Sequence, residues 1–145
     1  MFRLDDRRFG LPLAAVVRVV RAVAITPLPR APTIVLGIVN AGGTVVPVID
    51  MRRRLGMEGR EMLLTDHLVL ARTPRRVFGF LADAVTGVVH CTGSQAISAS
   101  DVLPHIPYVR GVVKLEDGLV VIQDLDAFLS LEEEDAIDRA MESGG

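Results

Sequence analysis

The chain has 145 residues, a formal net charge of -2 and a single cysteine. Half of its residues are hydrophobic and 23% are charged, which excludes a disordered polyelectrolyte, and one Cys excludes a disulfide framework or a multi-cysteine zinc site. With no Trp, one Tyr and five Phe, stacking platforms for single-stranded nucleic acid are scarce.

In chain order, Val recurs in alternation or short runs, and its stiff side chain suits a pleated surface. Strands are expected at Phe2–Leu4, Arg8–Leu11, Val17–Ile25, Leu36–Asn40, Thr44–Ile49, His67–Arg72, Val77–Leu81, Thr86–Cys91, Val109–Leu115 and Leu119–Gln123. Pro27-Leu28-Pro29-Arg30-Ala31-Pro32 reads as a stiffened loop, because its prolines fix φ and cannot donate to a ladder. Asp50 and Asp124 each precede a short helical stretch, where an Asp carboxylate caps unpaired amides. Residues 131–143 read as an acidic helix with a thin apolar stripe of Ile137 and Met141. Short strands with frequent turns imply an all-β sandwich or barrel with short helices.

The charge is polarised. Residues 1–60 carry +6, residues 61–115 carry +1 and residues 116–145 carry -9. The basic arginines are scattered among strand residues, apart from Arg52-Arg53-Arg54, so no nucleic-acid face is expected. No apolar run reaches the ~18 residues of a membrane span, and the first residues lack a signal-like apolar stretch. The expected location is the cytoplasm.

An internal repeat organises the chain. Gly37, Val39, Val46 and Asp50 recur 74 residues later as Gly111, Val113, Val120 and Asp124, and Leu55 recurs as Leu129. Upstream, at an offset of 69, Gly10, Ala15, Val16, Val19 and Val20 recur as Gly79, Ala84, Val85, Val88 and Val89. Gly and Asp have specific backbone roles, so their repetition points to two copies of one small β-barrel module. Each module is expected to run as a hairpin, a turn, a third strand, a loop, a second hairpin and a helical turn. The domain is drawn as residues 1–130, with 131–145 as an acidic helix or tail too poor in apolar residues to matter for folding.

No catalytic constellation is present. Asn40-Ala41-Gly42-Gly43 lies in a hairpin and does not open a long helix, so it is no phosphate loop. His90 and Cys91 are neighbours in a strand and point to opposite faces. Asp66 beside His67 has no nucleophile near it in sequence. No enzyme activity, cofactor or metal is expected. What remains is a binding module, with a groove between barrels and open loop tips.

The sequence resembles the CheW adaptor family of bacterial chemotaxis. The resemblance runs from Phe2 to about Leu129. It rests on Phe9-Gly10-Leu11-Pro12-Leu13-Ala14-Ala15-Val16, Ile25-Thr26-Pro27-Leu28-Pro29, Gly37-Ile38-Val39-Asn40 and Gly43-Thr44-Val45-Val46-Pro47-Val48-Ile49-Asp50. It continues through Gly79-Phe80-Leu81-Ala82-Asp83-Ala84-Val85 and Gly111-Val112-Val113-Lys114. The resemblance implies two five-stranded SH3-like barrels around a shared core. It implies a non-enzymatic adaptor joining chemoreceptor cytoplasmic tips to the regulatory domain of a CheA-type histidine kinase. The alternative is a divergent scaffold of the same fold that recruits another protein partner.

Two residues depart from the family pattern. Its Asn-Leu-Arg-Gly is here Asn40-Ala41-Gly42-Gly43, and the Glu of its Val-x-Glu-Val segment is here Arg18. A charge lost and a charge reversed at one interface change the partner preferred. By resemblance, protein contacts are expected from Leu13, Val16, Arg18, Ile25, Asn40 and Gly42. A further contact edge is expected at Pro104, His105 and Ile106. Leu13, Val16 and Ile25 read equally well as core residues, and Gly42 as a turn residue.

Overall fold

The computed structural model describes residues 1–4, 7–21, 24–59, 65–85, 87, 96–98, 109–115 and 118–144. Its strands form two sheets. The first contains β1 (Phe2–Leu4), β2 (Arg7–Gly10), β8 (Ala84–Val85), β9 (Ala96–Ser98), β10 (Val109–Leu115) and β11 (Gly118–Gln123), in the order β8-β1-β2-β11-β10-β9. The second contains β3 (Val16–Arg21), β4 (Val35–Ala41), β5 (Thr44–Ile49), β6 (His67–Arg72) and β7 (Val77–Ala82), in the order β3-β6-β7-β5-β4. These are the two SH3-like barrels, here called barrel 1 and barrel 2; barrel 2 has the five strands expected, and barrel 1 has six described strands, the two-residue β8 lying at its edge.

The repeat is reproduced pair by pair. In β4–β5, Val35 faces Ile49, a register shift follows, and Gly37 faces Val48. In β10–β11, Val109 faces Gln123, the same shift follows, and Gly111 faces Ile122. Each hairpin then takes a parallel neighbour at the same place: Val48 beside Gly79, and Ile122 beside Gly10. Asp50 and Asp124 share an extended backbone ahead of a helical turn, Met51–Arg54 (α1) and Leu125–Ala127 respectively. Only Asp50 caps with its side chain, accepting from the Arg53 amide at 3.1 Å.

The modules, however, are not contiguous. After β2, Pro12 opens the 3-10 turn Leu13–Ala15, which carries the chain out of barrel 1 before β3 begins. Strand β3 then pairs with β6 in barrel 2, and the vacated edge of β2 is taken by β11 from the other end of the chain. Where Val17–Ile25 is expected, the described strand is Val16–Arg21, and residues 22–23 lie outside the described residues. Most of the expected strand at Thr86–Cys91 lies outside the described residues.

One core joins the barrels. It includes Phe2, Leu4 and Phe9 from barrel 1 and Ile49, Val69, Ala71, Phe78 and Phe80 from barrel 2. The Phe2 ring lies 5.8 Å from that of Phe9 and 5.0 Å from that of Phe80, within the range of favourable aromatic pairs. A second, aliphatic cluster of Val39, Val46, Val48, Leu68 and Leu70 fills barrel 2. Strand β6 divides its residues between them, Leu68 and Leu70 inward, Val69 and Ala71 toward the shared core. Both faces are covered, so this strand reads as a continuous apolar run. Where the barrels meet, Arg52 of α1 donates to both carboxylate oxygens of Asp83 at 2.8 and 3.0 Å. The Asp83 amide donates to the Arg3 carbonyl of β1 at 2.9 Å.

The acidic C-terminal segment is not an idle tail. It forms α2 (Leu131–Gly144), with Ile137 0% exposed within the shared core and Ala140 buried beside it. Ser130 and Glu133 form a reciprocal capping box, the Glu133 amide donating to Ser130 Oγ at 3.1 Å and the Ser130 amide to Glu133 Oε1 at 2.9 Å. Arg76 donates to Glu134 at 2.6 Å and Asp138 at 2.5 Å, and Arg54 pairs with Glu133. Burial works against the Glu133 charge, but the Ser130 amide and the Arg54 guanidinium hold its carboxyl below the usual value. Two well-placed apolar residues and three ion pairs offset an ordering cost that composition alone made prohibitive.

Removing α2 therefore damages the fold. Truncation after Ser130 is expected to lower the thermal midpoint by about 10 °C or more. Ile137→Ala alone should cost about 2–5 kcal/mol in urea unfolding. An unchanged midpoint for the truncated chain would show that the helix does not contribute. A second test concerns Gln123, 1% exposed, whose side-chain amide has no partner among the described residues. The repeat places Ile49 at the equivalent site, so Gln123→Ile should stabilise the chain by about 1–3 kcal/mol, the cost of an unsatisfied buried polar group. A lowered urea midpoint would contradict this.

Candidate protein-interaction surface

The surface is assembled where barrel 2 closes. Thr26, beyond β3, exchanges two backbone hydrogen bonds with Ile38 of β4 at 2.9 and 2.7 Å. This crossing explains Gly37. A Cβ there would stand 2.3 Å from the Thr26 carbonyl oxygen and 2.6 Å from Ile25 Cγ2, closer than any real contact. Closure also draws β3 toward the β4–β5 turn.

That turn is Gly42-Gly43, between the paired residues Ala41 and Thr44. Both glycines have positive φ, 63° and 91°, as a tight two-residue hairpin requires. Asn40 Oδ1 accepts from the Gly43 amide at 2.9 Å and braces the loop. Beside it, the Arg18 guanidinium lies 3.5 Å from where a Cβ at position 42 would sit. Arg18 follows a register shift between Val16 and Arg18, which leaves Val17 as the extra residue on β3. Arg18 is exposed and forms no ion pair with any described residue.

Closure thus brings together three of the residues expected from sequence: Arg18, Asn40 and Gly42. Leu13 is 64% exposed on the 3-10 turn ahead of β3. Val16 and Ile25 are half-buried and pack against the shared core and the barrel 2 core respectively. Pro104, His105 and Ile106 lie outside the described residues.

Sequence reasoning missed the exposed valines. Val17 is 44% and Val45 49% exposed, the first next to Arg18 and the second just after the turn. Alternation marks such residues as strand but does not separate an edge strand from a covered one. A depression elsewhere, lined by Leu36, Asp50, Met51, Arg52, Asp66 and Asp83, is dominated by the Arg52–Asp83 ion pair that ties the barrels. Among the described residues, no cluster of His, Cys, Asp and Glu could hold a metal ion, and no helix is long and apolar enough to cross a membrane.

The two glycine sites differ in what they tolerate. Gly42→Ala meets backbone strain but no clash, because its Cβ would lie at an ordinary 3.5 Å from the Arg18 guanidinium, and should cost about 1–2 kcal/mol. Gly42→Asn should cost less, since Asn enters the left-handed region more readily. Gly37→Ala meets backbone oxygen and should prevent barrel 2 from closing. Thermal melts of the three variants check the ranking, and an equal loss for Gly37→Ala and Gly42→Ala would refute it.

The family model described as CheW-like domain matches residues 1–133. The "Chemotaxis protein CheW" of Rhizobium meliloti (strain 1021) is 31% identical over 137 residues, covering 93% of this chain and 88% of the relative. "Protein FrzA" of Myxococcus xanthus is 34% identical over 122 residues, covering 84% of this chain and 71% of the relative. The crystal structure of scaffolding protein TtCheW from Thermoanaerobacter tengcongensis superposes with a TM-score of 0.81 at 27% identity, covering 91% of each chain.

Proposed function

Because the chain belongs to the CheW-like domain family, a family of non-enzymatic chemotaxis scaffolds, we propose that it couples chemoreceptor cytoplasmic tips to the regulatory domain of a CheA-type histidine kinase. The observation that carries this reading is the superposition on a scaffolding protein over 91% of each chain at a TM-score of 0.81. The adaptor works in the cytoplasm, by protein contacts alone. The receptor-facing surface comprises Leu13, Arg18, Asn40 and Gly42, with half-buried Val16 and Ile25. A second contact edge, toward the kinase, is assigned to Pro104, His105 and Ile106.

Rigid placement supports this role. An adaptor transmits force and position between two partners, so its binding faces must keep a fixed relation. Here one core runs under both barrels, and the Arg52–Asp83 pair fixes their junction. A divergent-scaffold reading is favoured by one observation, the Arg18 cation beside a turn that lacks its own.

The test is reconstitution with a chemoreceptor tip and a CheA-type regulatory domain from the same cell. The chain is expected to bind each at micromolar concentration and to bridge them in one complex. Binding to neither would overturn the chemotaxis-array reading. Capture of a different partner through the same residues would favour the divergent scaffold.

A further inference from the structure

We propose that Arg18, laid over the Gly42–Gly43 turn, sets the specificity of the receptor-facing surface and selects a receptor tip that presents a carboxylate there. This rests on the adaptor reading above and names the chemistry of its partner. The guanidinium is exposed, forms no ion pair with a described residue and lies 3.5 Å from the Cβ position of residue 42. Exposed Val17 precedes Arg18 at the β3 register shift, and exposed Val45 follows the turn. The surface therefore sets exposed valines beside one solvated cation. A partner that covers it removes water from that cation, and only an acceptor on the partner compensates the loss. A carboxylate does so best, and a partner with a cation at that place is rejected.

The same geometry couples positions 18 and 42. A small residue at 42 leaves the guanidinium its place over the turn. An Arg at 42 would put a second cation beside Arg18, whereas Glu at 18 would turn that repulsion into an ion pair. The positive charge reaches this surface from β3 rather than from the turn.

Two measurements test the proposal. The first uses the chain alone. Gly42→Arg should lower the thermal midpoint by several degrees, and Arg18→Glu with Gly42→Arg should recover part of that loss, more so at low salt. Strictly additive shifts would show that the two side chains do not meet and would overturn the coupling. The second titrates a purified chemoreceptor tip fragment from the same cell. Arg18→Glu should weaken binding about five-fold at low salt, mostly through slower association, with the difference shrinking near 1 M salt, where the screening length is about 3 Å. Arg18→Lys should retain most of the affinity. The kinase regulatory domain, binding elsewhere, should be unaffected. Tip binding that is indifferent to Arg18→Glu at every salt concentration overturns the inference and leaves the adaptor reading standing. Wild type that binds neither tip nor kinase overturns both.

Discussion

The pairing of Gly10 in β2 with Ile122 in β11 joins the two ends of the chain, and the rest of the architecture depends on it. Strand β2 has antiparallel β1 on one edge only; its other edge is closed by a strand more than a hundred residues away in the chain. Without that junction barrel 1 falls into two pieces, β8-β1-β2 and β11-β10-β9, each ending in an edge strand of only two or three residues. With it, Phe2, Leu4 and Phe9 are held against Phe78 and Phe80, and the shared core becomes continuous. The α2 helix then inserts Ile137 into a core that already exists. Its ion pairs with Arg54 and Arg76 anchor to α1 and to the β6–β7 connection, both belonging to barrel 2. The chain thus leaves barrel 1 and ends fastened to barrel 2.

Much of this was legible in the sequence, for reasons that particular residues make plain. Phe2–Leu4, Thr44–Ile49, His67–Arg72 and Val109–Leu115 are expected and observed with the same bounds, because Val- and Leu-rich segments between turn residues leave little freedom. The repeat was legible because Gly37, Gly111, Asp50 and Asp124 serve backbone geometry rather than packing. The interleaving was not. A repeat identifies equivalent pieces and says nothing about which pieces pair, and β2 can in principle pair with either copy. The helix was underrated for a different reason. Counting apolar residues in 131–145 ignores where they point, and Ser130-Leu131-Glu132-Glu133 carries a capping box that marks the helix start. The stability of α2 lies in the position of Ile137 and in arginines far away in sequence.

The interaction surface was partly legible. Resemblance supplied its residue types, and the hairpin signal of Asn40-Ala41-Gly42-Gly43 supplied the turn. The contact between Arg18 and the turn could not be read, because it exists only once Thr26 crosses Gly37 and barrel 2 closes. Two departures from a family pattern that look independent along the chain become one feature in space. Val16 and Ile25 show the converse. Their apolar character suits an interface, but closure turns them toward the two cores.

The interleaved topology also sets an order of assembly during synthesis. Barrel 2 is built from β3 to β7, a continuous stretch of chain, and can close while the remainder is still being made. Strands β1 and β2 leave the ribosome first but have no partner for the open edge of β2 until β11 emerges. Non-local pairing of this kind is slow, and unpaired edges left waiting are prone to association with other chains. The open edge of β2 is therefore completed last, after barrel 2 has had time to close.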